Sequence, residues 1–508
     1  MNKNFTREPI DNICLFLIIC SSIIIFILII GSKICPNNQC LFRTNPHVEN
    51  FTWEGQKISA NDNAFIIDFD RPIAQETVEQ NLKIEPELLG KISWAGKRMV
   101  FTLNQTITYG RNYRLSLQNV REKFRGKNEL GSEIEPFIGN FSSRDRAFAY
   151  IGSQGEEIGK LVLNNSTQEN KTILTPNNLT VVDFHFTPDT KKIVFSATDN
   201  ESSQDFPKDT SIYEVYTGLS SNNNSEIPGK LKLILDAKDY QNNQFDLGGK
   251  NGEIIIVQRI KKDNPTDFDL WKIEEGKIPQ KLNVQGGEFT VTPDGSALAV
   301  AQGEGISIIP IQDSNNSQIT NFLPQYGQVL TFSKDGKGAV MVDFNKDNED
   351  LRYTKSLFYV NNQGVEKELI NIQGSIIDCK FSPNNKNVFC LLTELIENGE
   401  EFREKPYFVG INVESNQVIP LLALPSSQDI KISIAPDGFG ILFDQLITEN
   451  NVEDKSQITI SPDEELLTKS AELILGSRLW LFTLPSALQP QPSLQELPIQ
   501  GFNPQWSP

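Results

Sequence analysis

One short pattern recurs through most of this chain and restricts its fold more than any other feature. Aligned on their turns, FHFTPDTKKIVFSA from Phe184, FTVTPDGSALAVAQ from Phe289, LTFSKDGKGAVMVD from Leu330, CKFSPNNKNVFCLL from Cys379 and ISIAPDGFGILFDQ from Ile432 are copies of one hairpin. Each is a strand, a turn built on Pro-Asp-Gly or a variant, and a second apolar strand. Asp or Asn followed by Gly supplies the backbone freedom that such a turn needs. FDLGGKNGEIIIVQ from Phe245 is a degraded copy with Asn251-Gly252 at its turn. A third and often a fourth strand follow each copy, as in SIYEVYTG then LKLILDA, and SLFYVNNQG then EKELINI. Four strands recurring every roughly 40 to 60 residues read as the blade of a β-propeller.

The chain ends in GFNPQWSP, Gly501 to Pro508, a first strand and half a turn with nothing after it. RAFAYIGSQGEEIGKLVLNN from Arg146 supplies second and third strands with no first strand before them, and KTILTP follows as a fourth. The spacing therefore predicts a domain over 145–508 closed by strand 502–508, which would cover edges that an open ring exposes. The count is seven blades, or six if the copy at Phe245 is not one. These repeats resemble the TolB-like, WD-related bacterial propeller family. Phe381-Ser382-Pro383 and Trp506-Ser507-Pro508 match its aromatic-Ser-Pro signature, while Thr187-Pro188-Asp189, Thr292-Pro293-Asp294-Gly295 and Ala435-Pro436-Asp437-Gly438 change the small residue. Ser333-Lys334-Asp335-Gly336 lacks the proline. The resemblance implies the fold and leaves function open, because propellers host binding modules and several enzyme classes.

Ahead of the repeats, 51–143 reads as short alternating strands separated by turn clusters, the pattern of an all-β sandwich. AFIIDFDRPIA, KISWAGKRMVFTL and YGRNYRLSLQNV resemble the Ig-like domain of bacterial S-layer and other envelope proteins. In that resemblance Trp94 and Phe101 are core positions and Tyr113 is the buried tyrosine of its strand. The family implies a spacer or adhesion module without catalytic residues.

ICLFLIICSSIIIFILIIG, Ile13 to Gly31, carries no charge over 19 residues. At about 1.5 Å per residue it would span roughly 28 Å, near the hydrocarbon thickness of a bilayer. It reads as an uncleaved signal-anchor, longer than a signal-peptide core and lacking a small-residue cleavage site. The expected layout is a cytoplasmic tail over 1–12, a transmembrane helix over 13–31 and a linker over 32–50. The bulk would then lie outside the cytoplasm, single-pass in a bacterial plasma (inner) membrane. Cys35 with Cys40, and Cys379 with Cys390 across a predicted hairpin, are disulfide candidates suited to an oxidising compartment; the alternative is ordinary thiols.

The formal charge of −18 makes nucleic acid an unsuitable partner. Two histidines, His47 and His185, leave little for metal sites or general-base catalysis. The turn aspartates Asp189, Asp294, Asp335 and Asp437 read as structural, one per repeat. His47 lies in the linker without a partner. His185 lies on a first strand, which lines the propeller channel, and reads as an interior histidine. DFNKDNED places Asp343, Asn345, Asp347 and Glu349 at alternate positions, as calcium loops do. Asn348 stands where such a loop needs glycine, so calcium is a weak candidate and no other cofactor is expected. Acidic residues cluster in three long connections: Asp199, Glu201 and Asp205; Glu394, Glu397, Glu400 and Glu401; Glu464 and Glu465. All three join second to third strands and so open on one face, a candidate docking surface. No G-x-S-x-G, H-E-x-x-H or phosphate-cradling loop occurs. The reading is a scaffold or sensor that binds an envelope protein or polysaccharide, with no catalytic residue assigned. The alternative is a lyase, lactonase or cyclase working at the channel mouth.

Overall fold

The computed structural model describes residues 9–31, 45–123, 130–199, 209–219, 227–303, 305–311, 321–346, 348–398, 401–424, 429–448, 466–468, 472–485 and 491–508. The chain divides into two compact units, one of 1–107 with 111–143, the other of 108–110 with 144–508.

In the first unit, helix Pro9–Gly31 has 23 residues. It does not supply the expected membrane span: among the described residues no helix is long and apolar enough to cross a membrane. The single-pass placement in a bacterial inner membrane is corrected accordingly.

The rest of this unit is built on two four-stranded sheets, with a short helix Gln75–Asn81 and a two-stranded ribbon of Arg121–Lys123 with Leu130–Glu133. One sheet runs Val48–Phe51, Ala64–Phe69, Arg98–Leu103, Gly90–Ala95, and the other Lys57–Ile58, Phe137–Ser143, Asn112–Leu117, Leu82–Glu85. Strict alternation along AFIIDF buries Phe65, Ile67 and Phe69 on one side, as period-two geometry requires. Phe51 of the first sheet meets Phe137 and Phe141 of the second at ring distances of 6.1 and 5.9 Å, so the sheets pack face to face. Phe101 stacks on Phe65, Tyr113 on Phe141 and the half-buried Trp94 on Phe69.

The second unit holds seven four-stranded antiparallel sheets among the described residues. Numbered along the ring, sheet 1 is Gly501–Trp506, Ala147–Gly152, Leu161–Asn165, Asn170–Ile173, and sheet 2 is Leu179–Phe186, Lys192–Asp199, Ser211–Tyr216, Leu231–Leu235. Sheet 3 is Tyr240–Gly248, Ile254–Lys261, Asn264–Glu274, Gln280–Lys281, so the degraded repeat at Phe245 builds a complete sheet. Sheet 4 is Phe289–Val291, Ala297–Gln302, Gly305–Pro310, Asn321–Leu323, and sheet 5 is Gln328–Phe332, Gly338–Asp343, Lys355–Asn361, Glu366–Ile372. Sheet 6 is Ile376–Phe381, Asn387–Asn398, Glu401–Asn412, Val418–Ala423, and sheet 7 is Ile432–Ile434, Gly440–Thr448, Ile474–Thr483, Ser493–Glu496.

Each second strand carries a continuous apolar run, such as IIIV or VFCLL, because that stretch is buried on both faces. In sheet 3, Ile255 and Val257 face a core shared with sheet 2, whereas Ile254 and Ile256 face a core shared with sheet 4. The same alternation yields one apolar core between each consecutive pair of sheets. The last core packs Leu442 and Leu479 of sheet 7 against Phe148, Tyr150 and Trp506 of sheet 1. The ring of cores therefore has no open end, which is the arrangement of a β-propeller.

Closure is made by the chain end. Strand Gly501–Trp506 pairs antiparallel with Ala147–Gly152, placing Trp506 opposite Phe148. Asn503, at φ +50°, interrupts the register and spreads its polar groups over three sheets. Its N–H donates to the Asp444 carboxylate of sheet 7 at 2.7 Å, and its amide donates to Asp183 of sheet 2 at 2.9 Å.

The recurring turn has a chemical reason as well as a conformational one. The Ser or Thr hydroxyl donates to the acid or amide oxygen two residues on: Thr187 to Asp189, Thr292 to Asp294, Ser333 to Asp335, Ser382 to Asn384, all at 2.6–2.8 Å. The same hydroxyl accepts the N–H that opens the second strand, as Ser333 does from Gly338 at 2.9 Å. The next position is left-handed in each copy, filled by Gly295, Gly336 and Gly438 but also by Thr190 and Asn385.

Candidate functional site

The sheets are of unequal length, and this opens a cleft in the second unit. Strands Ile254–Lys261 and Asn264–Glu274 of sheet 3 have 8 and 11 residues, whereas their counterparts in sheet 4 have 6 each. The core between the two sheets ends near Ile256, Leu270 and Val300. Beyond it the longer hairpin overhangs, and the face that carried Ile254 and Ile256 continues as Gln258 and Ile260. The resulting cleft has a volume of about 630 Å³ and is lined by Gln258, Ile260, Phe268, Gln285, Gly286, Gly287, Ala301, Gln302 and Gly303.

Its floor is the connection between the sheets, pinned by two amides. Gln258 Nε2 donates to the Gly286 carbonyl at 2.9 Å, and Gln302 Nε2 donates to the Gln285 carbonyl at 2.7 Å. Gln302 Oε1 in turn accepts from Ser307 Oγ at 2.7 Å. Gly286 has no alternative, since a Cβ there would sit 2.2 Å from Val300 Cγ1. Ile260 and Phe268 are directly opposed in the ladder and form a half-exposed apolar wall. Among the described residues none of the lining is titratable, so the cleft offers shape, fixed amides and an apolar face.

The residues singled out by sequence are distributed elsewhere. The turn aspartates stay in their separate turns. Thr292 and Ser296 hydrogen bonds hold the Asp294 carboxyl below its ordinary range, and the Ser333 hydroxyl does the same for Asp335. Asp437 has no Ser or Thr before it and instead pairs with Arg146 at 2.8 Å. His185 is half-buried, with its ring edge-on to Phe245 at 5.1 Å. His47, contrary to expectation, has a partner: its backbone N–H donates to Asp70 at 3.0 Å and its Nδ1 lies 3.6 Å from the same carboxylate.

In the calcium candidate, Asn345 turns inward and donates to Thr354 and Ser356, while its N–H is held by Asp343. Glu349 is exposed in a short 3-10 turn, and Asp347 lies outside the described residues. Among the described residues no group of three or more His, Cys, Asp and Glu could hold a metal. Cys379 and Cys390 oppose each other in the ladder and are joined by a disulfide; Cys35 and Cys40 lie outside the described residues.

The acidic connection from Glu394 is not a loop. Asn387–Asn398 and Glu401–Asn412 run as one long hairpin, with Glu394 opposite Lys405, Glu397 opposite Phe402 and Glu401 opposite Asn398. The apolar pair Leu395-Ile396 between Glu394 and Glu397 favours continued pairing over a solvated excursion. Asp199 ends a strand of sheet 2, while Glu201, Asp205, Glu400, Glu464 and Glu465 lie outside the described residues. Sequence reasoning missed the cleft altogether. The only local signals were the alternation Ile254, Ile256, Gln258, Ile260 and the Gly286-Gly287 pair ahead of a strand.

No family model matches the chain. The DNA double-strand break repair protein Mre11 of Saccharolobus solfataricus is 25% identical over 158 residues, which is 30% of this chain and 37% of that protein. The chain thus spans only 37% of the length of that curated relative. Among solved structures, TolB from Acinetobacter baumannii is similar with a TM-score of 0.36 and 14% identity, covering 70% of this chain and 83% of that one. The periplasmic gluconolactonase PpgL of Pseudomonas aeruginosa has a TM-score of 0.41 and 12% identity, covering 72% and 99%. An oligogalacturonate lyase of Vibrio parahaemolyticus has a TM-score of 0.41 and 12% identity, covering 56% and 79%. The structural neighbours are TolB-like β-propellers. At these values the likeness concerns fold and carries no activity over to this chain.

Proposed function

We propose that this chain is a binding protein: a seven-bladed propeller preceded by an Ig-like sandwich, taking a glycan or protein ligand in the cleft between sheets 3 and 4. The observation that carries this reading is the lining itself. It presents amides, bare backbone and an apolar wall and, among the described residues, no group able to give or take a proton, whereas acid–base chemistry needs one within hydrogen-bond reach of the substrate.

The rival reading is an enzyme of lyase, lactonase or cyclase type at the channel mouth. One observation favours it: His185 lies on the first strand of sheet 2 and keeps part of its ring exposed. The two separate cleanly by assay. Full-length protein incubated with oligogalacturonates and with aldonolactones, with and without manganese, should show no turnover. Turnover that disappears in His185→Ala would replace the binding reading with the enzymatic one.

A further inference from the structure

We infer that the cleft between sheets 3 and 4 is a site for a neutral oligosaccharide, an assignment that rests on its reading as a binding site. Charge decides the first part. The chain carries a formal charge of −18, yet none of the nine described lining residues is charged. An anionic ligand would meet a repulsive field and find no cation to replace its hydration. A cation would find no carboxylate among the described lining residues to hold it. The ligand is therefore uncharged.

Hydrogen bonding decides the second part. An apolar ligand would cover the capacity that the Gln258 and Gln302 amides keep beyond their bonds within the protein, the Gln258 Oε1 and the second Gln302 N–H, without pairing it, which costs affinity. Carboxamides and peptide groups both donate and accept, the two functions that a hydroxyl-rich ligand requires. A pyranose adds an apolar C–H face, and Phe268 beside Ile260 supplies a flat apolar wall for it. Gln258 and Gln302 are already held by the Gly286 and Gln285 carbonyls, so little side-chain freedom is lost when the ligand arrives. The volume of about 630 Å³ falls within the range of small-ligand sites and exceeds what one sugar ring needs.

Gly287 allows the cleft to be filled without removing any group. Its φ lies outside the left-handed region, and a Cβ there would meet nothing closer than the Ala301 carbonyl oxygen at 3.6 Å. Titration calorimetry on the full chain would use cellotriose, maltotriose, laminaritriose, mannotriose and N-acetylchitotriose, with trigalacturonate as the charged comparator. At least one neutral trisaccharide should bind. Its affinity should hold within about twofold between 50 and 500 mM NaCl. Phe268→Ala should weaken it about tenfold and Gly287→Leu should abolish it, both at an unchanged melting temperature. Trigalacturonate binding that is the tightest of the set and is lost in Gly287→Leu would overturn the neutral class while leaving the cleft as a binding site. If no probe shows binding sensitive to Gly287→Leu, the saccharide assignment falls, whereas turnover lost in His185→Ala is what would overturn the binding reading itself.

Discussion

The buried carboxylate at the closing seam gives a sharp test of how the ring is held. Asp444 is 1% exposed on strand Gly440–Thr448, and its oxygens accept the N–H groups of Lys431 at 2.6 Å and Asn503 at 2.7 Å. Burial pushes its pKa from 3.8 up to about 6, outweighing the two backbone donors and the Lys431 charge. Because the folded value lies above the unfolded one, the native state keeps a proton that the unfolded chain has already released. Stability from this group is therefore lost as pH rises from about 4 to about 6, by up to about 3 kcal/mol. Asp294 and Asp335 act oppositely. Their folded values lie below the ordinary ones, so their contribution is lost as pH falls through the folded value.

The raw pH profile mixes these signs, and the difference between wild type and Asp444→Asn isolates the seam. Urea unfolding of both proteins at half-unit steps from pH 4 to 8 should show wild type losing about 3 kcal/mol relative to the variant between pH 4 and 6. Above pH 7 the difference should be constant, since any packing offset of the amide is independent of pH. A difference that is flat throughout, or that rises with pH, would refute the assignment of a strained carboxylate at the closure.

Deleting Gly501–Pro508 removes the first strand of sheet 1 and Trp506 from the last core, so it should lower stability by at least about 4 kcal/mol; an unchanged melting temperature would show that closure does not hold the ring. Gly295→Ala and Gly336→Ala form a matched pair, with φ values of +68° and +66° in equivalent turns. A Cβ at Gly295 would sit 1.9 Å from the Gly249 nitrogen, whereas one at Gly336 meets nothing within 4 Å. Chemical denaturation should therefore give about 1–2 kcal/mol of loss for Gly336→Ala and clearly more for Gly295→Ala; equal losses would mean that backbone strain alone sets the cost. Ser333→Ala strips the Gly338 N–H of its side-chain acceptor and Asp335 of its donor, and should cost about 1–3 kcal/mol in the same assay.

Much of the propeller could be read from one line of text because its determinants are local. A Ser or Thr, an Asp two residues later and a left-handed residue after that fold onto each other within five positions, whatever the remainder of the chain does. The two-sided burial of second strands is equally plain in IIIV or VFCLL, where no polar residue interrupts the run. Even the incomplete copy at Gly501 carried information, since half a hairpin at one end and a sheet lacking its first strand at the other imply each other. Local pattern also misled. An apolar stretch reads the same whether or not its helix is long enough to cross a bilayer, and a run of glutamates reads as a loop even where, from Glu394, it continues a ladder.

What the amino-acid order determined by itself is therefore the unit: hairpin, turn chemistry and which strands are buried on both sides. Only the tertiary structure decided what lies between units. The cleft exists because one hairpin outruns its neighbour some 45 residues away in sequence, and Asp444 is costly because a strand nearly 60 residues further on closes over it. Such features depend on differences in length and on burial between distant segments. Neither is encoded in any single window, and both come into being only when the sheets are packed side by side.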